Sequence, residues 1–217
     1  MSQIIDGKMV AESMKIAIGE EVKEMVAAGQ KAPHLVAILV GNNGASETYV
    51  ANKVKSCEEL GFASTLLRFD PSISESDLLA EVQKVNDNPD MDGLIVQLPL
   101  PAHINPDKVM ETIHPSKDVD GFHPINIGRM AKGLPAYISA TPQGVLDLLA
   151  YYKIETGGKH CVVVGSTKPF GRSKTKSKCY LHWEDHPHKP ERNGKPVSSL
   201  LIKVTLENLN NINIYEL

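Results

Sequence analysis

The chain has 217 residues, of which 41% are hydrophobic and 23% charged, the balance of an ordinary soluble globular protein. The net charge is −3, and residues 166–217 carry a net charge of +4. This positive charge is modest and comes with no recognisable binding motif, which argues against a nucleic-acid-binding protein. No apolar run approaches the roughly 20 residues of a membrane helix, so no membrane association is expected.

Cysteine and histidine usage gives no sign of a metal centre. Cys57, Cys161 and Cys179 have no paired spacing, so neither a disulfide framework nor a zinc site is indicated. The histidines between residues 182 and 188 lie in a charged, proline-containing stretch that does not resemble a zinc motif. Because the first residues also lack the features of a secretory signal, we expect a cytoplasmic protein.

Apolar periodicity and turn residues predict a regular order of elements in the first half of the chain. They predict helices over about 7–28, 45–60, 74–86 and 105–113, and strands over 34–40, 63–69 and 92–98. Ser46 is the expected N-cap of the second helix, and Gly61 is its expected stop. Alternation of this kind implies parallel strands joined by helical crossovers.

The elements continue after a stretch with weak periodicity. Residues 115–137 are expected to form a structured loop between domains. A helix over about 141–152 and a buried strand over 160–165 follow. These elements predict an α/β fold class with two α/β units.

Two polar residues on the second helix are candidates for chemistry. Tyr49 and Lys53 are four apart and therefore project from one face of that helix. A lysine beside a phenol and next to buried strands is suited to act as an acid or base. The same spacing also fits a solvated lysine and a tyrosine that packs.

Two further polar positions follow buried segments. Gln97 is the polar residue at the end of an apolar strand, where open α/β sheets bind ligands. The segment 117–122 places Asp118 and Asp120 in a loop with a glycine. A carboxylate there can bind a group with paired donors. Alternatively, Gln97 is a satisfied edge amide, and the aspartates hold the backbone of a plain turn.

A glycine-containing loop follows the predicted strand over 160–165. Gly165 and Gly171 flank it, and Ser166 and Thr167 follow the first glycine. Backbone amides in such a loop bind the phosphates of a dinucleotide. With only two glycines, a simple strand-to-helix turn explains the segment equally well.

Taken together, the motifs resemble one family over residues 2–165. It is the family of bifunctional methylenetetrahydrofolate dehydrogenase/methenyltetrahydrofolate cyclohydrolases of the bacterial FolD type. The segments that carry the resemblance are Tyr49-Val50-Ala51-Asn52-Lys53, Gly93-Leu94-Ile95-Val96-Gln97-Leu98-Pro99-Leu100-Pro101, Lys117-Asp118-Val119-Asp120-Gly121-Phe122-His123-Pro124 and Ala140-Thr141-Pro142-Gln143-Gly144.

The resemblance implies a role for each candidate. Lys53 would handle the proton at the bridging carbon of the folate, and Tyr49 would stack on the substrate or position it. Gln97 would hydrogen-bond Lys53, and Asp120 would bind the amino-pyrimidine edge of the pterin. The remaining residues implied in substrate binding are Leu98 and Pro99. Gly165, Ser166, Thr167 and Gly171 would bind the cofactor.

The resemblance also implies a fold, a cofactor and partners. The fold would be an N-terminal three-layer α/β domain, residues 1–138, that binds folate and carries catalysis. A Rossmann-like domain that binds NADP, here incomplete, would occupy residues 139–217. The substrates would be tetrahydrofolate derivatives, no metal would be needed, and members are usually homodimers.

The chain departs from the family pattern after Gly165. Ser166 and Thr167 stand where an arginine and a serine are expected, and residues 193–201 resemble the end of the phosphate loop and its helix. We hypothesise that residues 174–192 are foreign to the loop, and that the chain ends before the family pattern does. The alternatives to a bifunctional enzyme are therefore a cyclohydrolase only, or an impaired remnant that binds folate.

Overall fold

The computed structural model describes residues 3–156 and the strands at 160–164, 191–192, 195–196, 199–203 and 211–216. Within these residues the elements are β1 (Gln3–Asp6), α1 (Gly7–Ala27), β2 (His34–Val40), α2 (Gly44–Leu60), β3 (Ala63–Phe69), α3 (Glu75–Asp87), β4 (Gly93–Val96), α4 (Pro106–Thr112), α5 (Pro124–Ala131), α6 (Ala140–Tyr151), β5 (His160–Val164), β6 (Glu191–Arg192), β7 (Lys195–Pro196), β8 (Ser199–Lys203) and β9 (Asn211–Glu216).

The chain divides into two compact units. Residues 15–140 form the first unit, and residues 1–14 and 141–217 form the second. The assignment of folate binding to residues 1–138 and NADP binding to residues 139–217 stays a prediction. None of the described helices is both long and apolar enough to span a bilayer.

The first unit is built on a parallel sheet in the order β3-β2-β4. The central strand, β2, pairs in parallel with both neighbours. The predicted parallel strands with helical crossovers, and with them the α/β fold class, are confirmed. Since the strands are parallel, their carboxyl ends meet at one edge, which is where sheets of this kind bind ligands.

Helices cover both faces of this sheet. Successive residues of β2 point to opposite faces. Val36, Ile38 and Val40 pack against α3 and α4, whereas Ala37 and Leu39 pack against α2. Each of these side chains is 5% exposed or less. The unbroken apolar run of β2 therefore reflects burial on both sides, which gives the unit three layers.

The start of α2 differs from the prediction, and its end does not. Asn43 is the N-cap, because its side chain accepts a hydrogen bond from the backbone N–H of Ser46. The predicted cap at Ser46 is wrong, since the preceding asparagine already satisfies that unpaired N–H group. Gly61 ends the helix as predicted, in a left-handed conformation with φ of 80° that glycine adopts without strain.

The segment 115–137, expected to be a loop, contains helix α5. Pro124 occupies its first turn, and His123 caps it by accepting a hydrogen bond from the backbone N–H of Ile125 through Nδ1. Asn126 is the buried residue of this short helix. Periodicity did not reveal the helix because it has no apolar stripe turned towards the core.

Two strands also differ from the sequence-based expectation. Strand β4 ends at Val96, so Gln97 and Leu98 follow the strand instead of belonging to it. Strand β1 was not predicted, because it is only four residues long and pairs with the distant β9.

The described strands of the second unit form a mixed sheet in the order β1-β9-β8-β5. β5 is parallel to β8, whereas β9 is antiparallel to both of its neighbours. Residues 193–201 were expected to resemble the end of the phosphate loop and its helix; this expectation is wrong from Ser199 onwards, because Ser199–Lys203 is a strand. The glycine loop over 165–171 lies outside the described residues, and so does the segment 174–192 apart from β6.

Candidate active site

Helix α2 presents the first two candidate residues. Tyr49 and Lys53 lie one turn apart, and Val50 on the neighbouring face is completely buried against the sheet. This anchoring of the apolar face turns the polar face outwards, so that the Tyr49 side chain is 52% exposed. Exposure of an aromatic ring next to a lysine favours a ligand-binding role over the packing role that the sequence left open.

The chain that leaves β4 runs past the first turns of α2. The backbone N–H of Gln97 donates to the carbonyl of Ile38 at 2.9 Å, which continues the pairing of β4 with β2. The peptide bond between Leu98 and Pro99 is cis. The buried hydroxyl of Ser46 donates a hydrogen bond to the Leu98 carbonyl at 3.5 Å. Gln97, Leu98 and Pro99 are therefore held at the carboxyl edge of the sheet.

The side chain of Gln97 bonds to its own neighbour. Its Nε2 donates to the Leu98 carbonyl at 2.8 Å. No hydrogen bond joins Gln97 to Lys53 in the part of the chain that the structure describes. The predicted hydrogen bond between Gln97 and Lys53 therefore stays a prediction.

The segment that carries the two aspartates extends the sheet beside β4. The backbone N–H of Leu94 donates to the Lys117 carbonyl at 2.7 Å, and Leu94 forms a parallel bridge with Asp118. The Lys117 ammonium donates to the carbonyls of Val85 and Asn88 at 2.7 and 2.6 Å, at the C-terminal end of α3. Lys117 thus ties the segment to a helix end.

Asp118 is buried and fully engaged with its own loop. Asp118 as a whole is 1% exposed. One oxygen accepts from the backbone N–H of Phe122 at 3.2 Å, and the other from the N–H of His123 at 2.8 Å. The Asn126 side chain donates to that second oxygen at 2.8 Å as well. Asp118 therefore has the backbone-holding role that the sequence analysis left as an alternative.

Asp120 has a different environment. Its Oδ1 lies 4.0 Å from Nζ of Lys53, and the two side chains are 23% and 34% exposed. Burial raises the pKa of Asp120 above its ordinary value of 3.8, the positive charge of Lys53 opposes this rise, and the charge of Asp118 reinforces it. The structure thus pairs an accessible ammonium with an accessible carboxylate at the edge where β4 ends.

Gly121 allows the chain to turn directly after Asp120. Its φ is 68°, and an added Cβ would lie 2.8 Å from both the Ser139 nitrogen and the Tyr137 oxygen. Any other residue would therefore meet backbone atoms as well as an unfavourable conformation.

The structure brings Lys53 and Asp120 into contact. It places Gln97, Leu98 and Pro99 beside the first turn of α2, the helix that carries Tyr49, through the contact of Ser46 with Leu98. Gly165, Ser166, Thr167 and Gly171, predicted to bind a cofactor, lie outside the described residues. Neither Asn126 nor the separate role of Asp118 was predicted from the sequence. The available signal was the pair of aspartates in one loop, for which the residues alone left both roles open and the family resemblance gave a role to Asp120 only. Groups of three or more histidine, cysteine or acidic side chains suited to a metal are absent from the described residues.

Comparison with known proteins adds independent information. The family model described as tetrahydrofolate dehydrogenase/cyclohydrolase, catalytic domain, matches residues 5–120. A curated relative from Bacteroides fragilis, "Bifunctional protein FolD", is 58% identical over 169 residues, which are 78% of this chain and 58% of the relative. The chain thus spans 58% of the length of that relative.

The chain is also similar to solved structures of FolD enzymes. The bifunctional FolD enzyme of Campylobacter jejuni is 41% identical with a TM-score of 0.72, over 75% of this chain and 58% of the other. The Trypanosoma brucei dehydrogenase-cyclohydrolase, solved with NADP cofactor and inhibitor, is 30% identical with a TM-score of 0.71, over 76% and 56%. A Saccharomyces cerevisiae NAD-dependent dehydrogenase, 18% identical with a TM-score of 0.64 over 97% of this chain and 70% of the other, is similar in fold alone.

Proposed function

The chain belongs to the tetrahydrofolate dehydrogenase/cyclohydrolase family, and on that premise we propose that it acts in one-carbon folate metabolism. The proposed reactions are the NADP-dependent oxidation of 5,10-methylenetetrahydrofolate and the hydrolysis of the methenyl product to 10-formyltetrahydrofolate. The observation that carries the proposal is the 4.0 Å approach of Lys53 Nζ to Asp120 Oδ1 at the carboxyl edge of the sheet.

The hydrolysis needs a group that moves protons. Water adds to the carbon that joins N5 and N10 of the methenyl cation, and the bond from this carbon to N5 then breaks. The carbon stays on N10 as a formyl group, and one proton is released overall. Lys53 is the proposed carrier of this proton, because its amine can reach a ligand from an exposed helix face and can both accept and donate.

Asp120 and Tyr49 are proposed to hold the substrate. A carboxylate offers two acceptor oxygens, which match the adjacent N–H donors of the amino-pyrimidine ring of a pterin. The described residues provide no hydrogen-bond donor to the Asp120 carboxylate, so its oxygens are available to a ligand. The half-exposed ring of Tyr49 supplies a flat apolar surface for a conjugated ring.

The described residues contribute one element to a nucleotide site, the parallel pair of β5 and β8. A parallel strand that enters a loop is the usual approach to dinucleotide phosphates. The residues predicted for that loop lie beyond the described part. When bound, NADP would accept the hydride in the first reaction, whereas the hydrolysis proceeds with Lys53 and water.

A cyclohydrolase without dehydrogenase activity is the second candidate. It is favoured because Tyr49, Lys53, Gln97 and Asp120 all lie within residues 5–120, the part matched by the family model. The mixed sheet of the second unit, with β9 antiparallel to its neighbours, also differs from the parallel sheet of a dinucleotide-binding domain.

We also propose a homodimer, as the family resemblance implies, and a cytoplasmic location. Sedimentation of the purified chain tests the dimer directly. Sedimentation as a single monomeric species at micromolar concentration would contradict it.

The activities are tested by two assays on the chain as it stands. In the first, methenyltetrahydrofolate is supplied and its absorbance followed; in the second, methylenetetrahydrofolate is supplied with NADP+. Turnover in both assays supports the bifunctional enzyme, and turnover in the first alone supports the cyclohydrolase. Binding of folate without turnover would identify the impaired remnant and contradict both enzyme proposals.

A further inference from the structure

We propose that Asp118 is a positioning residue, which fixes the backbone around Asp120 so that the Asp120 carboxylate stays opposite Lys53. Asp118 is 1% exposed and, among the described residues, makes no hydrogen bond or ion pair with Lys53, so it acts through Asp120. Its value for substrate binding rests on the proposed function, whereas its effect on the geometry of the loop does not.

The bonds of Asp118 hold the chain on the far side of Asp120. Phe122 and His123 donate their backbone N–H groups to different oxygens of Asp118, at 3.2 and 2.8 Å. Asn126 binds the carboxylate at 2.8 Å and the Pro115 carbonyl at 2.9 Å through the same nitrogen. A buried carboxylate with three donors keeps the following backbone in one place, because each donor would otherwise lose its partner.

The near side of Asp120 is held by packing. Asp118 forms its bridge with Leu94. An added Cβ on Gly93 would lie 2.7 Å from Cγ1 of Val119, which shows how closely Val119 sits against β4. The chain is therefore fixed directly before Asp120 and directly after it, and Asp120 projects its side chain from a short bridge between two anchored points.

The two aspartates consequently have different roles. Asp118 is 1% exposed, and both of its carboxylate oxygens accept hydrogen bonds inside the protein. Asp120, in the described part of the chain, makes the contact with Lys53 and no hydrogen bond. Since misplacement of a reacting or binding group by about 1 Å costs on the order of 100-fold in rate, such an anchor matters to a site of this kind.

The substitution Asp118→Asn tests the inference with little change in volume. The new amide turns an NH2 group towards one of the three donors, so at least one bond is lost. The measurement is the pKa of the Asp120 carboxyl, followed by carbon-13 NMR in the unsubstituted chain, Lys53→Met, Asp118→Asn and the double variant. This cycle reports whether Asp120 still senses Lys53, which a general loss of stability would not change.

In the unsubstituted background, Lys53→Met should raise the pKa of Asp120, because it removes the charge that lowers it. In the Asp118→Asn background that rise should be less than about half as large, because the carboxylate has left its place opposite Lys53. An equal rise in both backgrounds would overturn the inference.

Asn86→Asp is the matched control. Asn86 also bridges a loop, since its amide donates to the Thr112 carbonyl and accepts from the His114 N–H. The substitution should destabilise the chain and leave the coupling of Lys53 with Asp120 intact. If Asp118→Asn does not fold, Asn126→Ala replaces it, because it removes one donor and keeps the carboxylate; coupling undiminished in that variant would equally refute the inference.

Calorimetry with the non-reactive reduced folate 5-formyltetrahydrofolate separates this inference from the proposed function. Weaker binding by Asp118→Asn than by Asn86→Asp is expected. Absence of binding by the unsubstituted chain would refute the proposed function, while the NMR cycle would still decide whether Asp118 positions Asp120.

Discussion

Lys53 Nζ and Asp120 Oδ1 lie 4.0 Å apart, although one belongs to a helix and the other to a loop much later in the chain. Two anchors produce this relationship. Val50 fixes α2 on the sheet, and the Leu94–Asp118 bridge fixes the loop beside β4. An ammonium and a carboxylate thereby meet at the carboxyl edge of a parallel sheet, the edge at which sheets of this kind bind ligands.

Asp120→Asn should make the chain more stable at neutral pH. The folded protein raises the pKa of Asp120, chiefly through burial, so ionisation favours the unfolded state as the pH rises above the ordinary value of 3.8. The gain should be small near pH 4 and largest near neutrality, as measured by urea unfolding at several pH values.

Asp70→Asn serves as a control of opposite sign. The Ser72 hydroxyl and backbone N–H lower the pKa of Asp70. The folded state therefore gains stability from ionised Asp70 above its ordinary value of 3.8, and the substitution should be destabilising at neutral pH. A loss of stability in Asp120→Asn at neutral pH would contradict the burial argument.

Gly121→Ala should destabilise the chain by at least about 2 kcal/mol, because alanine is strained at this positive φ and its Cβ would collide with backbone atoms. Gly128→Ala is the matched control within α5, since nothing lies within 4 Å of an added Cβ there. It should be neutral or stabilising by about 0.5–1 kcal/mol. Urea unfolding measures both, and equal stability of the two variants would refute the account of the turn.

Lys117→Met should lower the free energy of unfolding by about 1.5–3 kcal/mol. It removes charged hydrogen bonds to the carbonyls of Val85 and Asn88. Lys84 belongs to α3, the helix whose end Lys117 binds, and forms a surface ion pair with Glu81. Lys84→Met should change the free energy of unfolding by no more than about 0.5 kcal/mol. Thermal or urea unfolding separates them, and similar losses would show that Lys117 is not a structural anchor.

Tyr49→Ala should raise the KM for methenyltetrahydrofolate about 2- to 10-fold, which corresponds to about 0.5–1.5 kcal/mol of lost aromatic stacking. Tyr49→Phe keeps the ring and should leave KM nearly unchanged. Neither variant should alter stability by more than about 0.5 kcal/mol, because the side chain is half exposed. A KM increase in Tyr49→Phe equal to that in Tyr49→Ala would assign the role to the hydroxyl instead.

The sheet of the first unit was predictable because its apolar runs and glycine stops are local signals. Strands over 34–40 and 63–69 coincide with β2 and β3. Helix α5 was not predictable in this way, since a capping histidine and a buried asparagine replace the usual apolar stripe. Its existence depends on bonds to the distant part of the same loop, which periodicity does not register.

The candidate site was partly predictable. Spacing placed Tyr49 and Lys53 on one helix face, and the family resemblance singled out Asp120. The residue pattern alone did not separate Asp118 from Asp120, because either carboxylate can hold a turn or face a ligand. The direction of the chain after the Leu94–Asp118 bridge decides between them, and that direction is a property of the sheet.

The central claim is that Lys53 carries the proton in folate hydrolysis. It is tested most directly by the rate of loss of methenyltetrahydrofolate absorbance with the unsubstituted chain, Lys53→Ala and Lys55→Ala. Lys55 lies on the same helix, is 73% exposed and pairs with Glu59, so its loss should leave the rate unchanged. We expect Lys53→Ala to lower kcat by about 100-fold or more. Equal rates for the three proteins would contradict the account.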